Sequence, residues 1–158
     1  LLSQFLKSKR SLHQIEIRVL VMRETLTKAL YSSCPIIYRN RDAADAENRT
    51  QMVWGFQCGS GWFELLLNLS QAIEAIAEDR KRQGISEHEL PLVNQVKEKF
   101  GELRVYMEIS GPGITELINE AQLDSTEICD CCGKPGEPVS VYGYVLTRCQ
   151  QHIDEPVT

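Results

Sequence analysis

From Trp62 to about Arg82 the apolar residues Phe63, Leu66, Leu67, Ile73, Ile76 and Ala77 fall on one stripe, with polar residues between them. That spacing predicts an amphipathic helix. Gly84 stands where a C′ glycine would end it. Further on, Leu103, Val105, Met107 and Ile109 alternate with Arg104, Tyr106 and Glu108, the period of a half-buried strand. Gly111-Pro112-Gly113 breaks that strand, and Ile114, Leu117, Ile118 and Ala121 then predict a short helix reaching about residue 124.

The remaining segments are read more coarsely. Residues 22–33 predict a helix that ends at Cys34-Pro35, because a residue before proline avoids the α region. Residues 12–21 carry both a strand and a helix pattern, and both stay open. Residues 39–51 hold no large apolar side chain and read as a polar loop. Met52, Trp54, Phe56 and Cys58 predict one face of a short strand, turned by Gly59-Ser60-Gly61. Leu92–Phe100 is expected to form a helical turn or two, stopped by Gly101.

Composition sharpens the class. The 158 residues are 42% hydrophobic and 25% charged, an ordinary globular balance that excludes disordered and collagen-like chains. No apolar run approaches the ~18 residues of a membrane span. Net charge is −5, which argues against a general nucleic-acid binder. The charge is uneven: residues 1–30 hold six bases and two acids, and the rest holds eleven bases against twenty acids. A basic N-terminal arm on an acidic body is one reading; a solvated helix or strand face is the other. Leu1–Val21 carries charges every few residues and shows no secretory apolar region. Met22 would make a plausible start, which makes residues 1–21 an expected extension. A cytoplasmic, reducing setting is expected, in which clustered cysteines are metal ligands rather than disulfides.

The tail carries the strongest chemical signal. Cys129-Asp130-Cys131-Cys132-Gly133 opens it and Cys149-Gln150-Gln151-His152 nearly closes it. Cys129 and Cys132 form C-x2-C; Cys149 and His152 form C-x2-H after 16 intervening residues. Three thiolates and one imidazole suit a closed tetrahedral Zn²⁺ site, so one structural Zn²⁺ per chain is expected. Cys131 is a surplus thiol that could replace Cys129 or Cys132 in an alternate register. Val139–Thr147 reads as a hairpin bent at Gly143, so the tail resembles a treble-clef or zinc-ribbon module.

Other motifs fail on inspection. Cys58-Gly59-Ser60-Gly61-Trp62 is close to a papain-type sequence but places Gly61 at the nucleophile position. A tight strand-to-helix turn explains its glycines, as does an anion held by the backbone there. With His152 assigned to the metal, acid–base chemistry has few candidates, and no catalytic residue is assigned. The Lys97–Arg104 segment is a compact basic-aromatic cluster. Lys97, Lys99, Phe100 and Arg104, with Trp54, Trp62 and Tyr106 nearby, could form a binding surface, since aromatics and Arg are favoured at interfaces. Alternatively the rings are core and the charges solvated.

Taken together, Trp54-Gly55-Phe56-x-Cys58-Gly59-x-Gly61-Trp62, Val96-Lys97-Glu98-Lys99-Phe100-Gly101-x-Leu103-Arg104 and the Cys129…His152 pattern resemble a family of small, uncharacterised bacterial and prophage-encoded proteins. The likeness covers about residues 22–153. It implies a phage or mobile-element setting and transfers no catalytic residue. The expected fold is α+β: a small antiparallel sheet, two or three packed helices and the C-terminal zinc module. The expected organisation is an extension (1–21), an α+β core (22–127) and a zinc module (128–158) packed on it. The expected function is a non-enzymatic interaction protein with a protein partner that modulates a host or defence factor. A nucleic-acid binder and a metal-dependent hydrolase are the alternatives.

Overall fold

The computed structural model describes residues 21–141 and 143–153. The readings made for residues 1–20 lie outside them. Three helices are present among the described residues: α1 (Glu24–Ser33), α2 (Phe63–Arg82) and α3 (Ile114–Ser125). Four strands among the described residues form two antiparallel hairpins, β1 (Leu92–Lys99) with β2 (Glu102–Ile109) and β3 (Glu137–Val141) with β4 (Tyr144–Arg148). The α+β expectation holds: β1–β2 is the small antiparallel sheet, and β3–β4 is the hairpin expected in the C-terminal segment.

The three helices arise where the apolar stripes predict them. α2 buries Leu66, Leu69, Ile73 and Ala77, and α3 packs Ile114 and Ala121 towards α2. Phe56, Trp62, Tyr38, Leu30 and Val96 complete one core that all three helices and β1–β2 share. Glu74 is the polar exception. It sits on the buried face of α2 and accepts the amides of Ile36 and Ile37 at 2.8 and 3.0 Å. It thereby satisfies a loop that would otherwise bury two bare N–H groups.

Two local expectations are corrected. The segment expected as a helical turn, Leu92–Phe100, is instead the strand β1 over Leu92–Lys99 with Phe100 in the loop that follows. Gly101 does not stop a helix; with Phe100 it makes a two-residue hairpin loop between the paired residues Lys99 and Glu102. Both loop residues have positive φ, 56° and 78°, the combination that matches the twist of the flanking strands. Met52–Cys58 is not a strand either. Gln51–Trp54 forms a 3-10 turn, and only Gln57 pairs with β1, its amide bonding Val96 O and its carbonyl accepting from Glu98 N.

Candidate metal centre

The tail is tied to the core by backbone contacts to the glycine-rich loop ahead of α2. Gly61 N donates to Asp130 O at 2.8 Å, and Trp62 Nε1 donates to Ile128 O at 2.8 Å. Gly133 takes φ 76°, as its place in the knuckle predicts. A Cβ there would come 2.9 Å from Gly61 O. A Cβ at Gly59 would overlap the Asp130 carbonyl and one at Gly61 the Cys129 carbonyl, so close approach of a second backbone requires these glycines, a reason beyond the tight turn read from the sequence. Cys58 is fully buried and its thiol is pushed above its ordinary range, first by burial and then by Asp130 and Glu98. A thiol of that kind is inert, which agrees with rejecting a cysteine nucleophile.

β3–β4 brings the second ligand pair round to the first. Asp130 N donates to Thr147 O at 3.0 Å, and the Thr147 hydroxyl donates to Gly101 O at 2.6 Å. The hairpin is thus held between the knuckle and the β1–β2 loop. Cys149 leaves β4 directly and His152 follows on the 3-10 turn Gln150–His152. The ligand atoms of Cys129, Cys132, Cys149 and His152 all lie within 4.8 Å of one another.

The distances can be tested against a tetrahedron. Metal–sulfur bonds of about 2.3 Å and metal–nitrogen bonds of about 2.0 Å give edges of roughly 3.8 Å between sulfurs and 3.5 Å between sulfur and nitrogen. The Cys132 and Cys149 sulfurs are 3.7 Å apart. His152 Nδ1 is 3.6 Å from the Cys129 sulfur and 3.1 Å from that of Cys149. The donor set therefore fits a tetrahedral ion, with Nδ1 as the imidazole donor.

The surroundings act on the thiols in opposite directions. The Cys149 thiol lies below its ordinary range: what desolvation does to raise it is outweighed by the Gln151 amide, by Cys132 and Cys129, and by the His152 amide. Cys132 lies above its range through desolvation and its sulfur neighbours, against the Lys134 amide. Adjacent sulfurs cannot both ionise cheaply unless a cation sits between them. The surplus thiol Cys131 is half-buried and pushed up to about 12 by burial and Asp130. It is close to Cys129 and Asp130 but is not among the four converging donors.

One feature beside the ligands was not legible in the sequence. Asp130 and Arg148, each adjacent to a ligand cysteine, are both buried. Arg148 Nε stands 2.7 Å from Asp130 Oδ1, though off the hydrogen-bond direction. Arg148 Nη1 also donates to His152 O at 3.3 Å. The pair spans the two halves of the ligand set.

The residues expected on a binding surface divide. Lys97 and Arg104 are paired across β1–β2, and Lys99 faces Glu102. Lys97 Nζ lies 5.0 Å from the Tyr106 ring centre and Lys99 Nζ 5.4 Å from that of Phe100. Phe100 is 68% exposed. These residues form one face of the hairpin, with a groove of about 420 Å³ beside it that also involves Ile118, Asn119 and Gln122 of α3. Trp54 is exposed on its own 3-10 turn. Trp62 is a correction: it is fully buried and bonded to Ile128, so it belongs to the core and not to any surface.

No family model, curated protein or solved structure matches this chain. Among the described residues no helix is long and apolar enough to cross a membrane.

Proposed function

We propose that the protein is a non-enzymatic, zinc-containing interaction protein. Cys129, Cys132, Cys149 and His152 hold one structural Zn²⁺, and the outer face of β1–β2 meets a protein partner. The observation that carries this reading is the closed donor set. Four protein donors that converge within 4.8 Å of one another are enough to fill a four-coordinate ion's shell, whereas catalytic zinc keeps one position for water or substrate. Thiolate and imidazole donors suit Zn²⁺ over hard cations such as Mg²⁺ or Ca²⁺. A reducing cytoplasm, and the phage or prophage setting that the motif resemblance implies, belong to the same proposal.

The test is metal analysis combined with surface replacement. The purified protein should carry about one Zn²⁺ per chain. Lys97→Ala, Lys99→Ala and Arg104→Ala combined should retain the metal and the melting temperature, because surface changes cost little. The same variant should lose partners that the wild type captures from its source cell. A metal-free protein, or hydrolysis that follows zinc content, would sink the proposal.

A further inference from the structure

Phe100 is badly placed for the fold on two counts. A bulky residue with φ near 56° is an outlier, and the ring is left 68% exposed. A two-residue loop with positive φ at both positions favours Asn-Gly. The conformation is nevertheless fixed. Gly101 N donates to Glu98 Oε1 at 2.7 Å, and Gly101 O accepts from the Thr147 hydroxyl at 2.6 Å. The loop therefore holds an aromatic ring in the open from a rigid base. Strain held in this way is found at ligand-contacting sites.

The ring borders a groove with two kinds of lining. Tyr106, Val105 and Ile118 supply apolar surface, and Lys99 and Arg104 supply cations. Arg104 is already paired with Glu102 at 2.7 Å. Among the described residues no carboxylate lies within ion-pair distance of Lys97 or Lys99. Each of these ammonium groups rests over a ring instead.

We infer that this face is the docking site for a short acidic segment of a protein partner, one that also carries an apolar side chain. The apolar residue enters the groove against Phe100 and Ile118, and carboxylates pair with Lys97 and Lys99. This rests on the reading that the protein works by binding. Charge complementarity selects an anionic occupant, and the rings select a protein segment over a nucleic acid. A stacking base would have to displace an ammonium from each ring, whereas a carboxylate can pair with the ammonium where it lies. The net charge of −5 also repels a long polyanion more than a short segment.

The experiment measures binding of labelled synthetic peptides to the full chain as purified. The set combines Glu or Asp with Leu, Ile or Phe, alongside Lys-for-Glu counterparts and oligo-dT of similar length. The acidic-apolar peptides should bind, and more weakly as salt rises. Phe100→Asn should melt no lower than the wild type yet bind about tenfold more weakly or worse, as for an interface anchor. Lys97→Gln with Lys99→Gln should weaken binding and flatten its salt dependence. Preference for oligo-dT would overturn the partner class while leaving the surface in place. Failure of every acidic-apolar peptide would overturn it too, with zinc content and partner capture still reporting separately on the proposed function. Wild-type binding by Phe100→Asn, or a large drop in its melting temperature, would make Phe100 structural and end the inference.

Discussion

The amide of Gly61 donates to the carbonyl of Asp130 at 2.8 Å, joining the loop ahead of α2 to the turn between Cys129 and Cys132 of the Cys/His cluster. Nothing local to either segment requires the other. The contact exists because both backbones run without side chains between them. A Cβ at position 61 would overlap the Cys129 carbonyl and lie 2.6 Å from the amides of Cys132 and Gly133.

Gly61→Ala should therefore damage the metal centre from outside it. Backbone on both sides leaves no flexible group to give way, so the knuckle must shift. Overpacking of this kind costs roughly 1–3 kcal/mol. The variant should show a lower melting temperature and a reduced zinc content. Gly84→Ala is the control for metal content, since a Cβ at Gly84 meets no atom within 4 Å. Its φ of +84° will lower stability somewhat, but zinc should remain. Equal zinc loss in both variants would show that the Gly61 contact is not what matters.

The ligand set makes its own prediction. Cys129→Ser, Cys132→Ser or Cys149→Ser should each release the ion, and Cys131→Ser should keep it, because the Cys131 sulfur is outside the four converging donors. Chelation should loosen residues 128–153 first, since so short a segment has little core of its own. Amide hydrogen exchange with and without chelator reads this directly. Acidification should also release the metal, as thiolates and imidazole must lose protons to bind it. Loss of zinc in Cys131→Ser with retention in Cys132→Ser would replace the register.

The clustering of Cys129, Cys132, Cys149 and His152 was legible in the sequence because two x2 pairs state that chemistry locally. The helices were legible because α2 and α3 each bury one face. β1 was not, for a physical reason. Its register shifts between Leu92 and Val93 and again between Val93 and Gln95, so buried Leu92, Val93 and Val96 do not alternate and instead mimic a helical spacing. Met52–Cys58 misled in the opposite way. Met52, Phe56 and Cys58 are buried as a strand face would be, but Trp54 between them is exposed on a 3-10 turn. Trp62 was misassigned because its partner, the Ile128 carbonyl, lies 66 residues away. Asp130 and Arg148 look like solvated charges until β4 brings them together.

Glu74 gives a pH prediction. Burial holds its carboxyl above the ordinary carboxylate range, the amides of Ile36 and Ile37 pull it back, Glu78 adds to the rise and Arg39 opposes it. In the window between the unfolded and folded pKa the native state binds more protons, so stability falls as pH rises. The contribution is fully present below about 4.3, the usual unfolded Glu value, and is lost as pH passes through the raised folded value. Glu74→Gln cannot titrate. Urea melts of both proteins from acid to neutral pH should show the wild type losing stability relative to the variant through that window, then a constant difference. A constant difference across the whole range would mean the folded pKa is not raised.

The Asp130–Arg148 pair predicts a strong asymmetry between single and double replacement. Both side chains are buried, with relative exposures of 0% and 1%. Desolvation raises the Asp130 carboxyl, and Arg148 is the chief influence lowering it again. Removing one partner strands the other charge away from water, which costs about 3–5 kcal/mol. Asp130→Ala should lose that much in denaturant melts, even though the Asp130 main chain still bonds Gly61 and Thr147. Asp130→Asn with Arg148→Met removes both charges and keeps similar volume, so it should lose much less than Asp130→Ala alone. Zinc content should follow stability in these variants, because the pair lies between the two ligand turns and contributes no donor to the ion. If Asp130→Ala costs no more than the double variant, the two charges are not coupled, and the buried pair is incidental to how the metal turns are held.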